Sequence, residues 1–202
     1  MQDNGMTTEK IRQLKRELRA EYKAKRKTVS CDEKSLLDGN ICRNILNSVS
    51  YKYADVVLMF YPTQYEIDIL EVFDKAKKDK KRVAFPRCVS KGIMKFYFAE
   101  SEDDFEKNSY GINEPKLSCE EYENGCAKHP LCLVPCLCAF TDGKRLGYGG
   151  GYYDRFLSHF DGISMCVQYE RHLFGEIPFE KRYDKTTDIL VTEKAVYVVG
   201  KK

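Results

Sequence analysis

Apolar residues at Ile11, Leu14, Leu18 and Tyr22 recur at helical spacing, and Lys10, Arg12, Lys15, Arg16, Arg19, Lys23, Lys25, Arg26 and Lys27 fill most of the positions around them. Such a stripe on an otherwise cationic stretch predicts a basic amphipathic helix over residues 8–28. Ser30 followed by Glu33 resembles a capping box, and Leu36, Leu37, Ile41 and Ile45 carry the same period onward, so a second helix is expected to end near residue 48. The pattern then changes. Residues 56–60 are apolar throughout, as in a strand covered on both faces, and Pro62 stops that strand, predicted over residues 55–61.

A helix is expected over residues 67–78, with strands at 82–86 and 94–98, followed by a polar stretch at 101–130 with little periodicity, read as an excursion over the active site. Residues 131–140 form another apolar run, interrupted by Pro135. A helix over 152–160 and strands at 163–168, 189–192 and 195–199 complete the chain. Buried strands alternating with helices imply an α/β fold: a three-layer α/β/α arrangement with a mostly parallel central sheet. No internal repeat, low-complexity tract or linker divides the sequence, so residues 1–202 are expected to form a single domain.

Charge narrows the partners little. Against 34 Lys and Arg stand 31 Asp and Glu, a net charge of only +3, far below that of a protein that coats duplex nucleic acid. Nine cysteines are an odd number, and several lie in apolar strand-like runs, which argues for reduced thiols over a disulfide framework. Residues 1–10 are polar, and nowhere do eighteen apolar residues run together, so neither secretion nor membrane spanning is expected and the cytoplasm is the natural compartment. His129, Cys132, Cys136 and Cys138 lack the spacing of a zinc knuckle. His129, His159 and His172 all lie outside the glycine-rich loop, and no hydrolytic triad is suggested.

The chemistry concentrates in residues 141–154. Gly147, Gly149, Gly150 and Gly151 free the backbone for positive φ, so successive N–H groups can converge on an anion. The predicted helix behind them presents its own free N–H groups and positive dipole end, and Lys144 and Arg145 add full charges. No Gly-Lys-Ser/Thr closes the loop, and Tyr152 stands where a dinucleotide fingerprint needs its third glycine. A tight turn that only joins strand to helix is the alternative. Asp154 falls in the first helical turn, comfortable there as a plain acid and equally suited to hold Mg²⁺ beside phosphates. Spacing alone leaves Tyr152 with Phe156, and Tyr153 with Leu157, open between core packing and ligand stacking. Lys15 and Arg19 share a helix face that, on its own, reads as solvated. The lack of nucleophiles suits phosphoryl transfer, which runs on positioning and charge neutralisation.

The run Arg145-Leu-Gly-Tyr-Gly-Gly-Gly-Tyr-Tyr-Asp154-Arg-Phe-Leu157 closely resembles the signature of the 5-formyltetrahydrofolate cyclo-ligase family. The likeness extends to Lys15-Arg16-Glu17-Leu18-Arg19, to residues 60–68, to Tyr110-Gly-Ile-Asn-Glu-Pro115 and to Asp188-Ile-Leu-Val-Thr-Glu193, in the family's order. Cys136, Cys138 and Thr141 depart from the usual pattern. The resemblance implies an ATP- and Mg²⁺-dependent ligase that closes 5-formyltetrahydrofolate to its 5,10-methenyl form and releases ADP and phosphate. It implies ATP contacts at Lys15, Arg16, Glu17, Leu18 and Arg19 and at Arg145, Leu146, Gly147, Tyr148, Gly149, Gly150, Gly151, Tyr152 and Tyr153. Folate would meet Arg19, Tyr61, Glu66 and the Tyr148–Tyr152 stretch, with Arg145, Tyr148 and Tyr152 at the reacting group and Mg²⁺ on Asp154 and Asp188. Small-molecule substrates and a monomer are expected.

Two rival readings remain in the residues. A dinucleotide-dependent enzyme would use Glu170, near the end of the next strand, as its ribose-binding acid. A nucleic-acid-binding module would use the basic helix and the 14 tyrosines.

Overall fold

The computed structural model describes residues 7–175, 178–180 and 182–200. Helix α1 (Thr8–Lys27) starts at Thr7, whose side chain accepts from the Lys10 amide, and α2 (Cys31–Asn47) starts at Ser30, which accepts from the Glu33 amide. These caps satisfy donors that a helix start leaves free. A short α3 (Val49–Tyr53) leads into β1 (Val56–Leu58), the all-buried strand that the apolar run predicts. Helix α4 (Leu70–Lys78) then carries the chain to β2 (Arg82–Ser90).

Strand β2 runs through Pro86 and pairs antiparallel with β3 (Ile93–Phe98), longer than its sequence suggests. Pro86 is tolerated because β1 pairs with β2 only as far as Ala84, so the proline's missing donor falls on an open edge. The polar stretch that follows folds into a small antiparallel hairpin, β4 (Phe105–Lys107) with β5 (Asn113–Pro115). The predicted strand over 131–140 breaks in two. Strand β6 (Pro130–Pro135) stays in the sheet, while β7 (Cys138–Ala139) leaves it to pair with β8 (Arg145–Leu146), since Pro135 has no N–H to extend the ladder. Helix α5 (Tyr152–Leu157) is shorter than the 152–160 expected, and β9 (Ile163–Val167), β10 (Ile189–Val191) and β11 (Val196–Val198) finish the fold.

The central sheet has seven strands in the order β11-β10-β9-β6-β1-β2-β3, parallel except at its two outer pairs. Alternate residues of its strands face two cores. One holds Val57, Met59, Phe85, Leu133 and Val167 with Ile41, Ile45, Val72 and Phe73 of α2 and α4. The other holds Leu58, Phe96, Cys132 and Val134 against Tyr153, Phe156 and Leu157 of α5, with Phe96 and Phe156 rings 4.6 Å apart. The layers are therefore α/β/α with the α5 side thin, and α1 crosses the end of the sheet with Leu18 and Tyr22 against Leu137, Cys138 and Leu146. Of the nine thiols, Cys42, Cys132, Cys136, Cys138 and Cys166 are buried in this packing. Among the described residues no helix is long and apolar enough to cross a membrane.

Candidate active site

Ligands in an open α/β sheet bind beyond the carboxyl ends of its strands, and here Phe60 just past β1, Pro86 within β2 where its pairing with β1 has ended, and Pro135 at the end of β6 line a cleft of about 1160 Å³. The glycine loop forms one wall, the β4–β5 hairpin from Asn108 to Glu114 another, and residues 182–185 a third. Of the polar stretch 101–130, residues of that hairpin between Asn108 and Glu114 are the ones that line this cleft. A separate depression of about 710 Å³ between α2, α3 and α4 contains none of the loop.

The loop reaches the cleft because the chain doubles back after β6. The Leu137 amide donates to the Leu146 carbonyl at 2.7 Å, and the turn closes at Gly143 with φ of 83°. Gly149 at φ 105° and Gly151 at φ 67° then swing the backbone into α5, of which Gly151 is the N-cap. A side chain is strongly disfavoured at such angles. At Gly149 an added Cβ would also lie 3.3 Å from the Arg19 guanidinium, so the helix and the loop are in contact. Arg19 Nε donates to the Gly147 carbonyl at 2.9 Å and holds the loop from the α1 side.

Arg145 is buried at the start of the loop, and its Nη2 donates to Asp154 Oδ1 at 3.0 Å. The Lys185 amide donates to the same oxygen at 3.1 Å. Arg145 Nε and the Tyr153 hydroxyl are buried without a partner among the described residues, and both belong to residues that line the cleft. An unsatisfied buried polar group costs about 1–3 kcal/mol, a cost that the oxygens of a polyanionic ligand would relieve.

Helix α1 is not solvated on the face that matters. Lys15 is buried and pairs with Asp184 at 2.5 Å and Glu180 at 3.6 Å, although it does not itself line the cleft, while Arg19 and Lys23 do. Arg16 and Glu17 are exposed and outside the cleft, Glu17 accepting from Gln13 at 3.0 Å, and Leu18 packs in the core. The structure therefore brings Arg19, and Lys15 through Asp184, to the site, and leaves Arg16, Glu17 and Leu18 as neighbours along the helix. Burial of α1 cations also leaves fewer of them for coating a nucleic acid.

Tyr61, Glu66, Tyr148 and Tyr152 all line the cleft. Tyr61 packs edge-on to Phe105 at 5.1 Å and donates to Glu102 at 3.2 Å, and burial pushes its phenol pKa up. Glu66 is buried, and its Oε2 accepts from the Thr63 amide at 2.9 Å and hydroxyl at 2.8 Å, which fixes the carboxylate facing Tyr148. Tyr148 is 42% exposed, yet its hydroxyl reaches inward and accepts from Arg26 Nη1 at 2.9 Å. Burial of that end raises the phenol pKa, with Arg26 opposing. The open choice over the α5 residues resolves by position: Phe156 and Leu157 pack in the core, and Tyr152 faces the cleft.

Asp188 does not join them. It sits at the amino end of β10, where Oδ2 accepts from the Ser164 amide at 2.9 Å and hydroxyl at 2.7 Å, and it is absent from the cleft lining. Its carboxylate is thus engaged at the opposite ends of the strands from the cleft, so the expected pairing of Asp154 with Asp188 is not formed. Among the described residues no group of three or more His, Cys, Asp or Glu side chains gathers as a metal cage. Of the two expected metal ligands, only Asp154 lines the cleft. Glu170 is likewise committed elsewhere, accepting from Thr192 at 2.7 Å and Tyr197 at 2.8 Å, which removes the ribose-binding acid of the dinucleotide reading.

Two cleft residues, and one that packs behind the cleft, escaped the sequence. Arg26 stands in the sequence as one more cation of the basic helix, though its i+4 spacing from Tyr22 continues the buried stripe. Asp184 gave no signal, lying in a polar segment without periodicity. Glu114 is buried in the cleft wall and accepts from the Cys88 amide at 3.2 Å; its place in the Gly-Ile-Asn-Glu-Pro match was the available hint.

A family model described as "5-formyltetrahydrofolate cyclo-ligase family" matches residues 11–193. A 5-formyltetrahydrofolate cyclo-ligase of Haemophilus influenzae is 22% identical, over 89% of this chain and 98% of its own length. Its Escherichia coli K12 counterpart is 27% identical over 71% and 81%. The solved structure of the Aquifex aeolicus 5,10-methenyltetrahydrofolate synthetase superposes with a TM-score of 0.81 at 28% identity, over 94% of both chains.

Proposed function

The chain belongs to the 5-formyltetrahydrofolate cyclo-ligase family, and from this we propose that its cleft uses ATP to close 5-formyltetrahydrofolate into 5,10-methenyltetrahydrofolate. The formyl oxygen attacks the γ-phosphorus and ADP departs, turning a poor leaving group into a phosphate ester on the N5-bound carbon. N10 then attacks that carbon, phosphate leaves, and the N10 proton goes with it. Both steps need the reactants held in line, which positioning alone can accelerate greatly.

The residues divide the work by what they offer. The amides of Gly149 to Gly151, the start of α5 and the charges of Arg145 and Arg19 hold the triphosphate. Lys15 adds a cation on exchanging Asp184 for phosphate. Tyr148 and Tyr152 flank the formyl group, and Tyr61 and Glu66 receive the pterin, whose paired N–H donors suit a carboxylate. Asp154 would hold Mg²⁺, which supplies neutralisation of phosphate charge. The observation that carries this reading is the buried, unpartnered Arg145 Nε beside the glycine loop.

The test is direct. Purified protein with 5-formyltetrahydrofolate, ATP and Mg²⁺ should develop the near-ultraviolet absorbance of the methenyl product, dependent on each component. Folded protein that gives no such signal would remove the assignment.

A further inference from the structure

We infer that Arg26 is a positioning residue for Tyr148, aiming and polarising its phenol toward the cleft from behind. Arg26 does not line the cleft, whereas Tyr148 does. The guanidinium is buried and held at two points: Nη1 donates to the Tyr148 hydroxyl at 2.9 Å, and Nη2 donates to the Cys136 carbonyl and, at 3.4 Å, to Gln168 Oε1. Gln168 is itself fully buried and donates to the same Cys136 carbonyl at 3.2 Å, so the cation's plane is set by the ends of β6 and β9. All of these acceptors are neutral. A buried cation supported only by neutral oxygens is costly, and on this inference that cost serves the adjacent site.

The geometry dictates the direction of the effect. The Tyr148 oxygen accepts from Arg26, so the phenol's own hydrogen must point elsewhere. The groups facing it are Glu66 from the loop after β1, Cys136 at the end of β6, and Lys23, whose ammonium lies 5.8 Å from the ring centroid. A phenol whose oxygen is hydrogen-bonded by a cation donates its proton more strongly, because the cation stabilises charge building on the oxygen. Arg26 thereby delivers part of its charge to the cleft while its side chain stays out of it. The catalytic consequence rests on the proposed reaction; the effect on the phenol does not.

The experiment separates the two. Tyr148 is replaced by a multiply fluorinated tyrosine that titrates near neutrality, and its ¹⁹F shift is followed against pH in the parent, Arg26→Gln and Arg26→Lys proteins. Arg26→Gln should raise the label's pKa by about one unit or more, and Arg26→Lys, which keeps the charge, by less than half of that. Equal titration in all three overturns the inference, whether or not the protein closes formylfolate. On the proposed reaction, Arg26→Gln should lower kcat about 10–100-fold with the KM for ATP little changed. Tyr148→Phe should cost much less in the Arg26→Gln background than in the parent. Fully additive losses would mean that Arg26 serves only the packing of α1, and would equally overturn the inference.

Discussion

Replacing Asp154 with Asn separates the two jobs its carboxylate holds. In the folded chain Oδ1 accepts from Arg145 Nη2 at 3.0 Å and from the Lys185 amide at 3.1 Å. Asn keeps an acceptor oxygen for both, so the loss is the charge-assisted part of the Arg145 bond, about 1 kcal/mol after allowing for a carboxylate that is 23% exposed. In a domain of this size that is a fall in Tm of about 2–4 °C. Asp154→Ala would in addition strand the Arg145 side chain, only 2% exposed, and should cost about 3 kcal/mol. Turnover should suffer far more than stability in the Asn variant: methenyl formation falls by about 100-fold or more at fixed Mg²⁺ and recovers in part as Mg²⁺ is raised. The assay is the methenyl absorbance across an Mg²⁺ titration, with thermal melts alongside. A variant that loses the expected stability yet keeps the parent's Mg²⁺ response would make Asp154 the partner of Arg145 and nothing more.

Other consequences follow from single positions. Gly149→Ala forces a side chain to φ of 105° against the Arg19 guanidinium, so the KM for ATP should rise about tenfold while the far-ultraviolet circular dichroism is unchanged; an unaltered KM would remove the loop from nucleotide binding. His172 is buried, its Nδ1 unpartnered, and burial with nearby Arg26 and Arg171 pushes its pKa down to about 4. Below pH of about 6.5 the unfolded chain takes up a proton that the native chain refuses. Its contribution is therefore complete above that pH and drains away toward pH 4, by at most about 3 kcal/mol. Urea midpoints should fall over that window and flatten in His172→Gln; an equal fall in both proteins would acquit the histidine. Phe96→Ala, removing the ring that meets Phe156, should lower stability by about 3–5 kcal/mol in urea titration, and a loss below about 1 kcal/mol would contradict the packing of α5 on β3.

What could be read from the sequence was what local pattern determines. The uninterrupted Val56, Val57 and Leu58 announced a strand covered on both faces, and the stripe of α2 fixed its buried side, because each depends on neighbours within a turn or two. The split of residues 131–140 was harder: Cys138 and Ala139 are as apolar as β6, and only the departure at Pro135 and the pairing with Leu146 and Arg145 move them to another sheet. The site divides in the same way. Gly147 to Asp154 declared itself because its chemistry is contiguous. Arg26, 122 positions from Tyr148 and 142 from Gln168, acquires its meaning only through long-range packing. Lys15, read on its helix as a solvated cation, is likewise buried by Asp184, 169 positions away. Asp188 fails in the opposite sense, since a motif match carries no knowledge that Ser164 engages its carboxylate.

The central claim is that this cleft places the formyl oxygen against the γ-phosphorus. It is tested most directly with 5-formyltetrahydrofolate carrying ¹⁸O in the formyl group, by mass spectrometry of the phosphate released. One labelled oxygen per phosphate is the predicted result; unlabelled phosphate, with the ¹⁸O found in water, would contradict it.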